Sequence, residues 1–541
     1  MGQTHDEITQ NLAERWCWQV ARRDDMRIAR RLYRKQVVDG VYRLDEGALL
    51  DDCFHFLQAI EVMALLEQVH GTAIQREMLP FVQYLLLYGL KTLCGIESMK
   101  ALPGLLFSDE ALMQLVGFNA QQVRQGVCQR GRTKRQGERM PGPICPDTLA
   151  NNVVQCNVRD LEALCNGVIR ALAQAGVFGT RVTGMVDGTD LETPHSYQGC
   201  GQVTRKRRIA EKWGRVQEIE VTVYGWKVLL LIDAVTKIPL AVKVGQIQEH
   251  EVLWTRALVT QSQANLAGHA RLHKVVFDRG LLAGTDLWWL DQHGMTFVVP
   301  AKDHMAVTAD ARALAAAGEG VAIGHRVHTV RHGQGHEAWT ERLETEVVGL
   351  TGLTTYEQYG TEEHGRHHQR RDFEANPIHA VVVRKWQGKD YGPGGKTVFL
   401  TKASVAKPLQ PFDDDDERSL IENCCLTEAK QPWDLKHPPQ KTARAVRVHV
   451  LFTLLLFALA TAYRLQGERA ALGGEPVGWQ RWRRQLMEQN RDKVIVFAQG
   501  AYGSFHIAVF ARLMGAKLKD VPPELGTRQE IFTKYGLPPN N

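Results

Sequence analysis

Three acidic residues far apart in the chain have the settings that metal-assisted chemistry needs. Asp187 closes the apolar run of VTGMVDGTD, Asp278 closes that of HKVVFDRG, and Glu422 lies in the helix-like stretch DDERSLIENCCLTEAK. A carboxylate at the C-terminal end of a buried strand sits on a fixed backbone while its side chain emerges at the sheet edge. Two such strands and one packed helix would let the three carboxylates hold a pair of divalent cations about 3.5–4 Å apart, the arrangement used for in-line displacement at phosphorus. Oxygen donors suit Mg²⁺ or Mn²⁺. Asp187 would bridge two such ions, with Asp278 and Glu422 each completing one side. Asp190, three residues further on, is a weaker candidate, because polar residues are ordinary in the turn after a strand. The residues by themselves point to a metal-dependent phosphodiester enzyme.

The third segment offers seven carboxylates and singles out one. Asp413 to Glu417 stand where the helix is expected to begin, and there they complement the positive end of its dipole. Arg418 and Glu422 are four residues apart and share a face, so Arg418 can orient the carboxylate or contact a phosphate. Glu422 lies among Leu420, Ile421, Cys424, Cys425 and Leu426. An unpaired carboxylate is costly in such company, and a bound cation offsets that cost. On an ideal helix Lys430 is about 80° around from Glu422, within reach of the same phosphate, and Glu428 about 240° around, on the far side. Pro432 ends the helix.

The elements that must position these residues follow from periodicity. The first 150 residues read as helical, with ALLDDCFHFLQAIEVMALLEQV and MLPFVQYLLLYGLKTLCGI repeating apolar residues at three and four spacing. They suit DNA binding or a dimerising bundle. Residues 151–302 open with an amphipathic helical stretch and then give strands at VTGMVDGT, YGWKVLLLIDAVT and IPLAVKVGQI, the last two joined by a turn at Thr236 and Lys237. Helix, strand, helix and strand follow through KVVFDRG and MTFVVPAK. Residues 303–397 are β-rich, 398–470 carry the Glu422 helix, and 471–541 read as helical. This is an α/β organisation with Asp187 and Asp278 on neighbouring strands.

With 541 residues the chain is long enough for several domains with full cores. Its 66 basic and 60 acidic residues give a net charge of only +6, so whole-chain charge says little about partners. Placement says more. Clusters occur at Arg130, Arg132, Lys134, Arg135 and Arg139, at Arg205, Lys206, Arg207 and Arg208, at Arg366, Arg370 and Arg371, and at Arg481, Arg483 and Arg484. One charge run alone is ordinarily a solvated face. Four of them around a phosphoryl-transfer site point to a phosphate-rich partner, of which double-stranded DNA is one. The ten cysteines show no CxxC pair and no zinc spacing, so they read as reduced thiols of a cytosolic protein. The histidines of GTEEHGRHHQRR read as a solvated loop and Trp386 as core, with stacking on a flipped base as its functional alternative. Val448 to Tyr463 is about 16 residues long and contains His449, short of the ~20 a membrane span needs, so a buried core helix and no membrane are expected.

VDGT, the FDRG strand end and the Arg-x-x-x-Glu spacing of Arg418 and Glu422 resemble the DDE transposases of bacterial insertion sequences, over roughly residues 181–465. Such families often show Tyr, two residues, Arg, three residues, Glu, six residues, Lys. Here Asp415 stands at the Tyr position and Lys430 comes one residue late. The resemblance implies a ribonuclease H-like core, a mixed sheet flanked by helices, like that of retroviral integrases, with a β insertion ahead of the third acid. It also implies cleavage at element ends, strand transfer into target DNA, a homodimer holding two ends, and action on the bacterial nucleoid in the cytoplasm. A ribonuclease H-like nuclease or resolvase, which would cut without joining, and a non-catalytic DNA-binding descendant remain as alternatives.

Overall fold

The apolar run VLLLI at residues 228–232 is buried on both its faces, as the central strand of a covered sheet must be. The computed structural model places it in a sheet that runs through most of one unit of the chain. Described are residues 21–43, 48–72, 79–127, 142–210, 216–333, 338–361, 372–392, 395–421, 425–470, 478–518 and 525–538. They divide into two compact units, residues 172–428 and a second unit made of the residues up to 171 with those from 429 onward.

In the first unit, β1 (Arg181–Thr193) is followed by β2 (Gly201–Ala210), β3 (Val216–Asp233) and β4 (Pro239–Gln246). After helix α1 (Thr255–Leu266) come β5 (Arg271–Phe277), α2 (Gly284–Gln292) and β6 (Thr296–Pro300). β3 pairs antiparallel with β1 and β4, whereas β5 runs parallel to both β1 and β6. Three antiparallel strands and then two parallel ones reached through helices is the ribonuclease H-like order, a mixed sheet flanked by helices. The turn from β3 to β4 is held by Asp233, whose carboxylate accepts from the Thr236 backbone at 2.9 Å and hydroxyl at 2.7 Å, while Lys237 adopts a positive φ of 61°. Asp and the left-handed residue are turn chemistry, and here they set the register that brings Val242 of β4 opposite Leu230 of β3.

β2 is a strand that sequence periodicity passes over. It carries Arg205 to Arg208, and it forms a hairpin with the first half of β3. Three of these four charges are met by carboxylates of β1 and β3.

Residues 303–397 form helix α3 (Ala306–Ala317) and strands β7 (Ala322–His332), β8 (Trp339–Leu353), β9 (Ile378–Trp386) and β10 (Lys389–Asp390), with β11 (Thr397–Thr401) after them. These strands prolong the core sheet. β11 pairs antiparallel with β6, and β9, β8 and β7 continue outward in an 11-stranded sheet ordered β2-β3-β1-β5-β6-β11-β9-β8-β7. Helix α4 (Leu409–Ile421) then returns to the middle of the sheet and packs on β5, β1 and β6.

The second unit contains the helix Ala443–Ala470, whose apolar stretch is 94% buried within the structure. It is the core helix that its length and its histidine suggested. His449, 1% exposed, is hydrogen-bonded through both ring nitrogens. The Asp434 carbonyl, 2.9 Å from Nε2, can only accept, so Nε2 carries the proton and Nδ1 accepts from the Tyr88 hydroxyl at 2.8 Å. Burial drives the imidazole pKa down to about 4. The unfolded ring, near 6.5, binds a proton that the folded ring refuses, so this stabilisation is complete above pH 6.5 and is lost as pH falls toward 4. About 2 kcal/mol should be gone at pH 5. Unfolding free energies of the parent and of His449→Gln at pH 7 and pH 5 check this. The variant should lose less on acidification, and equal losses would contradict the assignment.

The same unit contains strands that the helical reading of residues 1–150 and 471–541 did not foresee. Arg22–Arg23 pairs in parallel with Ala501–His506, which is antiparallel to Lys493–Ala498, which in turn pairs with Gly40–Arg43. The N-terminal strands, two and four residues long, find their partners more than 450 positions away and leave almost no local periodicity to read.

Candidate active site

Asp187 does not end its strand, because β1 runs on to Thr193. What ends is its neighbour. The last parallel pair between β1 and β5 is Val186 with Phe277, and Asp187 and Asp278 follow directly on the two strands, so both acids stand just past the pairing. Asp278 turns the chain there. Its Oδ2 accepts from the Gly280 backbone at 3.1 Å and starts the short helical turn Arg279–Leu281. Asp187 is buried, at 9% exposure, and its Oδ1 accepts from the Gly188 backbone at 2.7 Å.

Arg418 comes to both of them from α4. Its Nη1 is 3.6 Å from Asp187 Oδ2, its Nη2 is 3.4 Å from Asp278 Oδ1, and its Nε donates to Asp415 Oδ1 at 3.3 Å. One guanidinium therefore faces three carboxylates, and its side chain is only 12% exposed. Burial pushes the Asp415 carboxyl up; Arg418 pulls it back down, and Asp278 and Asp416 push it up again. Asp415 is a site residue hidden in the sequence within the run of five acids Asp413 to Glu417. Its place one turn before Arg418 was the available signal.

The five acids do not lie in the first turn of the helix. α4 starts at Leu409, with Pro411 in its first turn where a backbone N–H is not needed, and so Asp413 to Glu417 fall in its interior. The dipole account of that run is replaced by ion pairs. Asp414, 4% exposed, takes Lys274 of β5 at 2.7 and 3.0 Å and Gln410 at 3.1 Å, and Asp413 pairs with Arg326 of β7. These bonds pin α4 to the strand that carries Asp278, and one turn later they deliver Arg418.

Glu422 lies outside the described residues. The chain is described again from Cys425, in a π-type turn followed by the separate short helix Thr427–Lys430, so angles counted along one ideal helix from Glu422 to Glu428 and Lys430 do not apply. Lys430 itself belongs to the second unit. Of the basic residues, Arg205 pairs with Asp190, Arg207 with Glu192 at 2.5 Å and Lys206 with Glu218 at 3.9 Å, which leaves exposed Arg208 as the member of that cluster without a carboxylate among the described residues. Arg130, Arg132, Lys134, Arg135 and Arg139 lie outside the described residues, as do Arg366, Arg370 and Arg371.

Among the described residues no three His, Cys, Asp or Glu side chains are gathered as a metal-holding group. Asp187 and Asp278 are nonetheless suited to a hard cation. Their oxygens already converge on one positive charge, that of Arg418, and both come from rigid strands.

Residues 179–387, which include both aspartates, match the family model described as the transposase DDE domain. No curated protein matches the chain. Among solved structures, the cryo-EM structure of the piggyBac transposase synaptic complex with hairpin DNA is similar, with 10% identity over 91% of this chain and 86% of that one and a TM-score of 0.36, a likeness too distant to carry an argument of its own. Residues 179–387 are thus similar to a transposase DDE domain and lie on a ribonuclease H-like sheet, a domain of the kind that cleaves DNA and transfers its strands.

Proposed function

We propose that this transposase cuts the ends of an insertion sequence and joins the freed 3′ ends to target DNA, using Asp187, Asp278 and Glu422 as its metal-holding carboxylates. The observation that supports it is the meeting of Asp187 and Asp278 beside Arg418, at the one level of the sheet where β1 and β5 cease to pair. The three acids would hold two Mg²⁺ or Mn²⁺ ions, which when bound supply an activated water or 3′-hydroxyl and stabilise the leaving oxygen. Without metal, Arg418 neutralises the carboxylates and keeps them facing one another. With DNA present, the same guanidinium is placed to take a non-bridging phosphate oxygen, a contact for which its planar fork is suited. Lys430, Arg208 and the Arg130, Arg132, Lys134 and Arg135 cluster are further phosphate contacts in this reading. Two copies of the chain would hold the two element ends, in the cytoplasm of a bacterial cell.

The experiment is to incubate the protein with a duplex carrying the terminal repeat of the element that encodes it, in Mg²⁺ and in EDTA. The expected products are nicked ends and, with a second duplex, joined strands, both absent in EDTA. Cutting that never yields joined strands would make the protein a nuclease. Arg418→Gln gives an independent check. It leaves Asp187, Asp278 and Asp415 without their common counter-charge, so the variant should melt below the parent in EDTA and be raised by Mg²⁺ more than the parent is. Equal Mg²⁺ shifts would argue against metal at these carboxylates.

A further inference from the structure

Basic charge is concentrated in a small module of the second unit. Strands Arg22–Arg23 and Gly40–Arg43 join the hairpin Lys493–His506 in one sheet, and Ile28, Leu32, Val496, Phe505 and Phe532 share its core. Across residues 21–43, 490–518 and 525–538, fourteen Lys and Arg stand against five Asp and Glu, an excess of nine where the whole chain has +6. Such a concentration of like charge works against the fold that holds it, and a polyanion relieves it.

The helix Asp25–Tyr33 gives this charge a face. Ile28, Ala29 and Leu32 are buried in the module, while Arg27, Arg30, Arg31 and Arg34 recur at three- and four-residue spacing on the other side. Arg31 donates to the Val37 carbonyl and to Gln499, both at 2.9 Å. Arg27, Arg30 and Arg34 are exposed, and none of their side chains has a carboxylate partner among the described residues. Seven residues at 1.5 Å rise set Arg27 and Arg34 about 10 Å apart along the axis, a span wider than one small anion and long enough to face several phosphates of a nucleic-acid strand, which recur about every 3.4 Å of helix axis. A membrane-surface helix would keep its apolar side free for lipid; here that side is already committed to the module core.

We propose that Arg27, Arg30 and Arg34 form a docking surface for the phosphate backbone of duplex DNA, independent of base sequence and separate from the carboxylate site. That the polyanion is DNA rests on the transposase reading. The test uses the full chain in EDTA, so that nothing is cut, and a fluorescent duplex of arbitrary sequence titrated at several KCl concentrations. Each phosphate contact adds about 0.9 to the slope of log Kd against log salt. The triple variant Arg27→Ala, Arg30→Ala, Arg34→Ala should therefore lose about 2.7 of the slope, which makes its weakening between 50 and 200 mM KCl about 40-fold smaller than the parent's. The corresponding triple Lys variant should recover the slope. Arg27→Glu alone, at a position whose side chain makes no hydrogen bond or ion pair among the described residues, should lower the slope by about one or more with melting unchanged. A parent-like slope in the folded Ala triple or in Arg27→Glu would overturn the docking surface and leave the transposase reading standing. A parent that binds no duplex at any salt would overturn both.

Discussion

Asp187→Ala and Asp278→Ala should each abolish Mg²⁺-dependent nicking, with losses of orders of magnitude, while duplex binding and melting stay close to those of the parent. The separation of the two effects follows from the geometry. The two carboxylates face each other across one guanidinium, an arrangement of like charges that folding alone does not favour, so removing one relieves repulsion and leaves Arg418 its bond to Asp415. In the proposed reading the reaction has no such spare partner, since Asp187 and Asp278 would both be needed to hold the metal ions. Either variant cutting at the parent's rate would move the chemistry away from this pair of strands.

Asp414→Ala should do the reverse and act on stability first. Its carboxylate, with a side chain 6% exposed, is paired with Lys274 at 14% exposure. Removing one partner of a buried pair leaves an uncompensated charge and costs about 3–5 kcal/mol. Replacing both, as in Lys274→Met with Asp414→Leu, should recover most of that loss. The exposed neighbour Asp416 offers the comparison, because its alanine variant should remain within about 0.5 kcal/mol of the parent. Urea unfolding at pH 7 measures all of these. An Asp414→Ala protein as stable as Asp416→Ala would mean that this ion pair does not hold α4 on the sheet.

The strands that carry Asp187 and Asp278 were legible in the sequence because buried parallel strands must be continuous apolar runs, and the order of helices between them left one arrangement of the sheet. The β-rich character of residues 303–397 was legible for the same reason, although not that β11 would join β6 and so extend the core sheet. The start of α4 was misplaced because five consecutive acids look like an N-terminal turn. They proved to be interior residues whose charges are met by Lys274 and Arg326, partners 140 and 87 positions away. β2 was hidden because its Arg and Lys residues are neutralised by Asp190, Glu192 and Glu218 across strands, a pairing that leaves no apolar alternation. The basic module was hidden more deeply, since its sheet exists only when residue 22 meets residue 501.

Asp187, Asp278 and Glu422 are proposed to hold the catalytic metal. This assignment is tested most directly by substituting Fe²⁺ for Mg²⁺ and mapping where ascorbate and peroxide cut the polypeptide, because hydroxyl radicals formed at a bound iron cleave the backbone nearest to it. Fragments should end close to residues 187, 278 and 422, be suppressed by excess Mg²⁺ and be absent from the Asp187→Ala and Glu422→Gln proteins, with Glu428→Gln cut like the parent. Cleavage confined to other positions, or an unchanged pattern in the Asp187→Ala protein, would contradict this assignment.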